Sequence, residues 1–122
     1  MADYRKLHVW RKAYALALNT HRVAGTIRGQ NALKSQLIRA TMSIGANIVE
    51  GRQHRSDKEF ARFLRIALAS AAEAEYHLLI ATGIRVVSEK DFEALNGELT
   101  DIRKMITGLL KKLDGTPKVT GV

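Results

Sequence analysis

One stretch of the chain decides the fold: Ser43-Ile44-Gly45-Ala46-Asn47-Ile48-Val49-Glu50-Gly51-Arg52-Gln53-His54-Arg55-Ser56-Asp57-Lys58-Glu59. Gly51 follows a stretch of periodic apolar residues, which is typical of a helix C-terminus. Ser56 and Glu59 have the spacing of a capping box, which opens a helix. We therefore expect two consecutive helices joined by a short basic turn.

The length and composition of the chain predict a single domain, residues 1–122. The chain has 122 residues, of which 46% are hydrophobic, which suits one core but not two ordinary domains. The absence of cysteine excludes disulfides, thiolate nucleophiles and thiolate metal ligands. No stretch resembles a signal peptide or an 18-residue apolar span. We expect a soluble cytoplasmic protein that does not associate with membranes.

The positive charge is concentrated in the first half of the sequence. The net charge is +8 overall. Residues 1–66 carry 13 Lys and Arg against 4 Asp and Glu, or +9, and residues 67–122 carry 7 against 8, or −1. A basic surface of this kind attracts polyanions such as nucleic acid.

The hydrophobic periodicity is helical along the whole domain, and the only proline is Pro117. The third helix has an alanine-rich apolar seam, which allows close approach of a neighbouring helix. The fourth has a three-four repeat that includes Leu99, Ile102, Ile106, Leu109 and Leu113. Short connections favour an all-α, antiparallel up-down-up-down four-helix bundle. The predicted helices cover about 7–24, 31–50, 57–81 and 89–113, followed by a tail at 114–122.

Four blocks of the sequence resemble the four-helix-bundle proteins encoded in intervening sequences of bacterial 23S ribosomal RNA. They occur in the same order as in that family, and the resemblance extends over most of the chain, roughly residues 7–80. The blocks are Leu7-His8-Val9-Trp10-Arg11-Lys12-Ala13, Gln36-Leu37-Ile38-Arg39-Ala40, Ser43-Ile44-Gly45-Ala46-Asn47-Ile48-Val49-Glu50-Gly51, and Lys58-Glu59-Phe60 with Phe63-Leu64-Arg65-Ile66-Ala67-Leu68-Ala69-Ser70.

This resemblance implies an antiparallel four-helix bundle, commonly assembled as a homopentamer, with no established enzymatic activity. Relatives of the same fold are accessory factors of diversity-generating retroelements, which implies a possible reverse-transcriptase or ribonucleoprotein partner. The chain departs from the family pattern at Gly45, where proline is usual, and at Val49, where alanine is usual.

A cluster of basic residues is the leading candidate for a nucleic-acid site. Lys58, Arg62 and Arg65 share one face of the third helix, and the preceding turn extends that face. Cationic groups arranged in this way bind phosphate oxygens with little sequence preference. The alternative is a solvated face in which Asp57 and Glu59 pair locally. The candidate residues are Arg52, His54, Arg55, Lys58, Arg62 and Arg65.

A polar strip on the second helix predicts a structural network rather than an active site. Ser43, Asn47 and Glu50 lie beside the apolar stripe, immediately before Gly51. If they are buried between helices, Asn47 and Glu50 require a partner such as Arg39, Arg62 or Arg65. Plain surface and a ligand site are the alternatives.

No sequence motif indicates catalysis, a cofactor or a metal. The four histidines, His8, His21, His54 and His77, are far apart, and none forms a His-x-x-x-His or Glu-x-x-His pair. Phosphate-loop and nucleophile-elbow motifs are absent. A ribonuclease that uses His54 with Glu50 or Glu59 is the least favoured hypothesis.

The sequence thus supports two main hypotheses. The first is a non-catalytic, homo-oligomeric bundle whose basic end engages RNA, DNA or a ribonucleoprotein partner. The second is a structural or protein-interaction oligomer with no direct role on nucleic acid, because apolar area left outside a four-helix core joins subunits.

Overall fold

The computed structural model describes residues 3–114 and consists of four long helices preceded by one turn of 3-10 helix at Tyr4–Lys6. This confirms the predicted all-α four-helix fold. Helix starts agree with the sequence prediction to within one residue. The helices are α1, His8–Ala24; α2, Asn31–Gln53; α3, Asp57–Gly83; and α4, Glu89–Asp114.

Three helix ends need correction. Helix α2 continues through Gly51 to Gln53, so the predicted helix stop at Gly51 is wrong. Helix α3 continues two residues beyond the predicted residue 81, to Gly83. Helix α4 includes Asp114, the first residue of the predicted tail. The rest of that predicted tail, 115–122, lies outside the described residues.

Each helix runs antiparallel to its neighbours in the chain, and α1 packs on α4 to close the bundle. The connections are short: residues 25–30, 54–56 and 84–88. Over residues 3–114, the diagonal pairs α1/α3 and α2/α4 make no close backbone contact. The packing is most extensive between α2 and α3. This arrangement brings the start of α1, the end of α2, the start of α3 and the end of α4 to one end of the bundle.

The predicted apolar stripes form the core. Every residue of the α3 seam is buried, including Ala67, Ala71, Ala74 and Ala81. Side chains this small allow a neighbouring helix to pack closely. On α4 the stripe departs from a strict heptad at its end, where Leu110 is buried and Leu109 is only half-buried. A helix of 3.6 residues per turn drifts relative to a 3.5-residue repeat, and this drift moves Leu110 inward.

Side-chain caps start α3, where the sequence predicts one at Ser56, and α4. The backbone N–H of Glu59 donates to Ser56 Oγ at 3.1 Å, and that of Asp91 donates to Ser88 Oγ at 3.1 Å. These bonds satisfy backbone donors that a helix start leaves without partners. None of the helices in residues 3–114 has a stretch long and apolar enough to span a bilayer.

Candidate nucleic-acid interface

The corner between α2 and α3 begins with an unusually close contact at Gly51. Gly51 is buried inside helix α2. A Cβ at this position would lie 2.7 Å from Phe63 Cβ and 3.0 Å from Phe60 Cδ1, closer than atoms can approach without repacking. The glycine therefore lets the last turn of α2 lie against the first turns of α3. Only three residues, 54–56, are needed to connect them.

Phe63 organises two of the predicted site residues. The His54 ring stacks on the Phe63 ring, with centroids 5.2 Å apart and an interplanar angle of 14°. The Arg62 guanidinium carbon lies 4.4 Å from the same ring centroid, which is a favourable cation–π distance. Phe63 is not among the six predicted site residues, although its position next to Arg62 in the chain is a usable signal.

Arg62 also binds Glu59, one turn earlier in α3. Their closest approach is 3.1 Å, from Arg62 Nη2 to Glu59 Oε1. The hydrogen bond from Arg62 lowers the pKa of Glu59 below its ordinary value. Both side chains are partly exposed, so this pair adds little stability. It does keep a carboxylate within the basic cluster, as the local-pairing alternative anticipated.

The side chains of Arg52 and Arg65 are held by neighbouring residues and are less free to move than a fully solvated arginine. Arg52 is half-buried, with its guanidinium carbon 5.4 Å from the centroid of the Phe60 ring. Its Nε is buried without a hydrogen-bond partner among the described residues. Arg65 Nη2 donates to both carboxylate oxygens of Asp114 at 2.9 Å, which ties α3 to the last turn of α4.

Arg55 and Lys58 are the two cluster cations most available to a ligand. Both are exposed, and neither forms an ion pair within residues 3–114. They lie on either side of the capping residue Ser56, at the tip of the bundle. The six predicted residues therefore share one corner but differ in how freely they can reach a phosphate.

Tertiary packing adds further cations to this end of the bundle. The 3-10 turn that contains Arg5 and Lys6 contacts both α1 and α2. At the end of α4, Lys111 and Lys112 are exposed. Lys112 lines a groove with His8, at the start of α1. These two α4 lysines are not among the predicted site residues, because they lie in the half of the chain with no net positive charge.

Part of the polar strip on α2 forms a hydrogen-bonded contact with α3. Ser43 Oγ and Ser70 Oγ are 2.9 Å apart, and Asn47 Nδ2 donates to the backbone oxygen of Ser43 at 2.9 Å and to its Oγ at 3.1 Å. The cross-helix partner is thus Ser70 rather than an arginine. Glu50 is exposed and makes none of these bonds. Gly51 acts through its size rather than through polarity.

The histidines do not form a common site. Within residues 3–114 no group of three or more His, Asp or Glu side chains is placed to hold a metal ion. His54 packs on Phe63, and Glu59 is bonded to Arg62. This arrangement lends no support to the ribonuclease hypothesis.

Two apolar surfaces outside the core of residues 3–114 expose large side chains. A groove of about 480 Å³ lies between α1 and α2. It includes the stacked pair Trp10 and Tyr14, together with Met42, which is 58% exposed. The second surface lies on the outer side of α3, where Tyr76 is 61% and Leu79 is 50% exposed. Exposed apolar patches of this kind are typical of protein contact sites.

Comparison with known proteins identifies the family. The family model described as 23S rRNA-intervening sequence protein matches residues 5–108. The chain belongs to this family. The match includes all of α1, α2 and α3 and most of α4, so both the basic corner, residues 52–65, and the α2 polar strip lie within the matched residues.

A solved structure supports this assignment. The chain is similar to a protein of unknown function from the S23 ribosomal protein family of Bacteroides thetaiotaomicron VPI-5482, with a TM-score of 0.78 and 28% sequence identity. The similarity covers 84% of this chain and 98% of the other. A search among curated proteins finds no significant match.

Proposed function

We propose that this member of the 23S rRNA-intervening sequence protein family is a non-catalytic, nucleic-acid-associated bundle. Its basic end binds RNA, or DNA, through the phosphate backbone. The observation that carries the proposal is the convergence of cations from three separate segments at one end of the bundle: the α2–α3 corner, the 3-10 turn and the end of α4. The family description refers to intervening sequences of 23S rRNA, which makes RNA the first ligand to test.

The electrostatics of this surface favour backbone contacts over base readout. Arg55 and Lys58 are exposed without ion-pair partners among the described residues. Arg62 and Arg65 are held in place by carboxylates, and an exposed ion pair is weak enough for a phosphate to replace it. Each phosphate neutralised releases counterions, so the affinity should fall steeply with salt.

The test compares two double charge reversals that change the net charge equally. Arg55→Glu with Lys58→Glu removes the two exposed cations of the basic corner. Arg28→Glu with Lys90→Glu makes the same change at the opposite end of the bundle, where both residues are exposed. Binding to mixed-sequence RNA is measured by fluorescence anisotropy over a range of salt concentrations.

We expect the corner variant to bind at least about tenfold more weakly, with the slope of log affinity against log salt reduced by about two. The opposite-end variant should retain most of the affinity and the original slope. Equal losses in the two variants would show that only net charge matters. An absence of binding at low salt would refute the proposal itself.

We further propose that the protein functions as a homo-oligomer, with a pentamer as the family resemblance implies. The groove between α1 and α2 and the outer side of α3 leave large apolar side chains in contact with water, and their burial between subunits is favourable. The two surfaces differ, so a contact between the groove of one subunit and the outer α3 surface of the next would be heterologous. Repeated contacts of this kind close into a ring when the rotation between neighbouring subunits is suitable. A ribonucleoprotein or reverse-transcriptase partner remains part of this proposal.

The same apolar surfaces favour the second candidate function, an interaction or structural oligomer that does not contact nucleic acid. Purification from the native cell, with and without nuclease, separates the two. Under the first proposal RNA accompanies the protein and is lost on nuclease treatment. Under the second, the assembly purifies intact and free of nucleic acid.

A further inference from the structure

The two phenylalanine rings of the basic corner already contact basic side chains of the protein itself. Phe63 contacts His54, with ring centroids 5.2 Å apart, and Arg62, whose guanidinium carbon is 4.4 Å from the ring centroid. Phe60 is only 4% exposed and lies beneath the guanidinium of Arg52. These are the two aromatic residues of the segment that carries the predicted site, residues 52–65. A nucleic-acid base that reaches this segment therefore meets two phenylalanine rings that already contact the protein's own side chains.

This arrangement has a consequence for the form of nucleic acid that the corner can hold. Proteins that bind single strands without sequence preference combine a basic groove with aromatic side chains on which successive bases stack. The corner has the cations, but its two phenylalanine rings already contact Arg52, Arg62 and His54. Contacts with phosphates remain, and these are available on a double helix without any unstacking of its bases.

One of the cations is also oriented by a neighbouring ring, which suits a rigid ligand. The Phe63 ring contacts the Arg62 guanidinium, whereas the ion pairs of Arg62 with Glu59 and of Arg65 with Asp114 are exposed and weak enough for a phosphate to replace the carboxylate. A double helix carries one negative charge per roughly 1.7 Å of axis and releases more counterions per contact than a single strand does. A preorganised set of cations gains most from such a dense and stiff array of phosphates.

We propose that the basic corner binds double-helical nucleic acid through its phosphates, and that Phe63 is a positioning residue for His54 and Arg62 rather than a platform for bases. This inference rests on the proposed function and adds the class of ligand to it. Arg55 and Lys58, beside the positioned pair, supply the exposed charges.

The first experiment compares an RNA duplex of about 20 base pairs with an oligouridine of about 20 nucleotides, by fluorescence anisotropy at several salt concentrations. The duplex should bind more tightly at each concentration and show the steeper salt dependence, about 0.9 against 0.7 per phosphate contacted. Oligouridine binding as tightly as the duplex, or more tightly, would overturn the ligand class and leave the proposed function standing. Absence of binding to both at low salt would overturn the two together.

The second experiment tests the role of Phe63. Phe63→Leu removes the ring, and Phe92→Leu provides the control, because Phe92 is a half-buried phenylalanine at the opposite end of the bundle. Phe63→Leu should weaken duplex and single-strand binding by the same factor, about two- to fivefold, as expected for loss of a cation–π contact. The control should leave both affinities unchanged. A loss confined to the single strand would show that Phe63 stacks on bases.

A third variant keeps the test valid if Phe63→Leu disturbs folding. His54→Ala removes the ring that covers Phe63, and His54 itself is exposed, so the core stays intact. Both affinities should fall slightly or stay level if Phe63 only positions cations. A gain in oligouridine affinity would show that the uncovered ring accepts bases, and would refute the positioning role.

Discussion

The two halves of helix α3 share one buried seam but present different outer surfaces. The inward side is continuous from Phe60 to Ala81. The outer side of the first half carries Lys58, Arg62 and Arg65. By contrast, residues 66–84 contain no lysine or arginine and expose several apolar side chains. The core constrains only the inner face of a helix. One helix can therefore present a basic outer surface along its first half and an apolar outer surface along its second.

The largest effect is expected from adding charge to the outer surface of the second, apolar half of α3, residues 66–84. Tyr76→Glu with Leu79→Glu should abolish self-association, because burying unpaired carboxylates in an interface is costly. The dissociation constant of the assembly should rise by about 100-fold or more. Lys104→Glu changes the net charge equally on the exposed face of α4 and should leave the assembly intact. Sedimentation velocity measures both, and a parent protein that is already monomeric would contradict the assembly proposal.

The second-largest effect is expected where the end of α2 packs closely against the first, basic half of α3. Gly51→Ala places a Cβ 2.7 Å from Phe63 Cβ. Overpacking costs about 1–3 kcal/mol, which exceeds the roughly 1 kcal/mol that alanine gains over glycine in a helix. The free energy of unfolding should therefore decrease.

The matched control is Gly97→Ala in α4, where nothing lies within 4 Å of the added Cβ. This variant should be stabilised by about 0.5–1 kcal/mol. Chemical denaturation of the two variants beside the parent checks the predicted opposite signs. Equal stabilisation would mean that the α2–α3 corner has room to relax, and Gly51 would lose its packing role.

A smaller effect is expected from removing the carboxylate within the basic half. Glu59→Gln releases Arg62 and removes one negative charge from the proposed binding surface. RNA affinity should increase about two- to fivefold, the range expected for one partly exposed charge interaction. Glu93→Gln, an exposed residue of α4 far from the corner, should leave the affinity unchanged. A loss of affinity in Glu59→Gln would indicate that the carboxylate orients Arg62 for binding.

The smallest effect concerns pH. Hydrogen bonds from arginine lower the pKa of both Glu59 and Asp3. A lowered pKa in the folded state contributes stability that is present above the unfolded-state pKa and is lost as the pH falls through the folded-state value. Acidification below pH 4 should therefore lower the melting temperature slightly, since both groups are exposed, and Glu59→Gln should reduce that loss. Thermal unfolding at neutral and acid pH measures the difference.

The sequence alone was sufficient to predict features that reside within single helices. The apolar seams of α3 and α4, the cap at Ser56 and the four-helix fold follow from periodicity and local hydrogen bonding. Apolar periodicity and local hydrogen bonding depend only on residues close together in the chain, so they can be recognised without knowing the partner helix. The family resemblance depends on the same local blocks, and the family match includes them.

Only the tertiary structure determines which residues of different helices contact one another. A glycine at position 51 is consistent both with a helix end and with the close packing of a second helix. Only the position of Phe63 in the structure shows that Gly51 serves close packing. The contact of Ser43 with Ser70, the stack of His54 on Phe63 and the approach of Lys112 to the start of α1 join residues distant in the chain. Such contacts depend on the register and crossing of whole helices, which packing of the complete core determines.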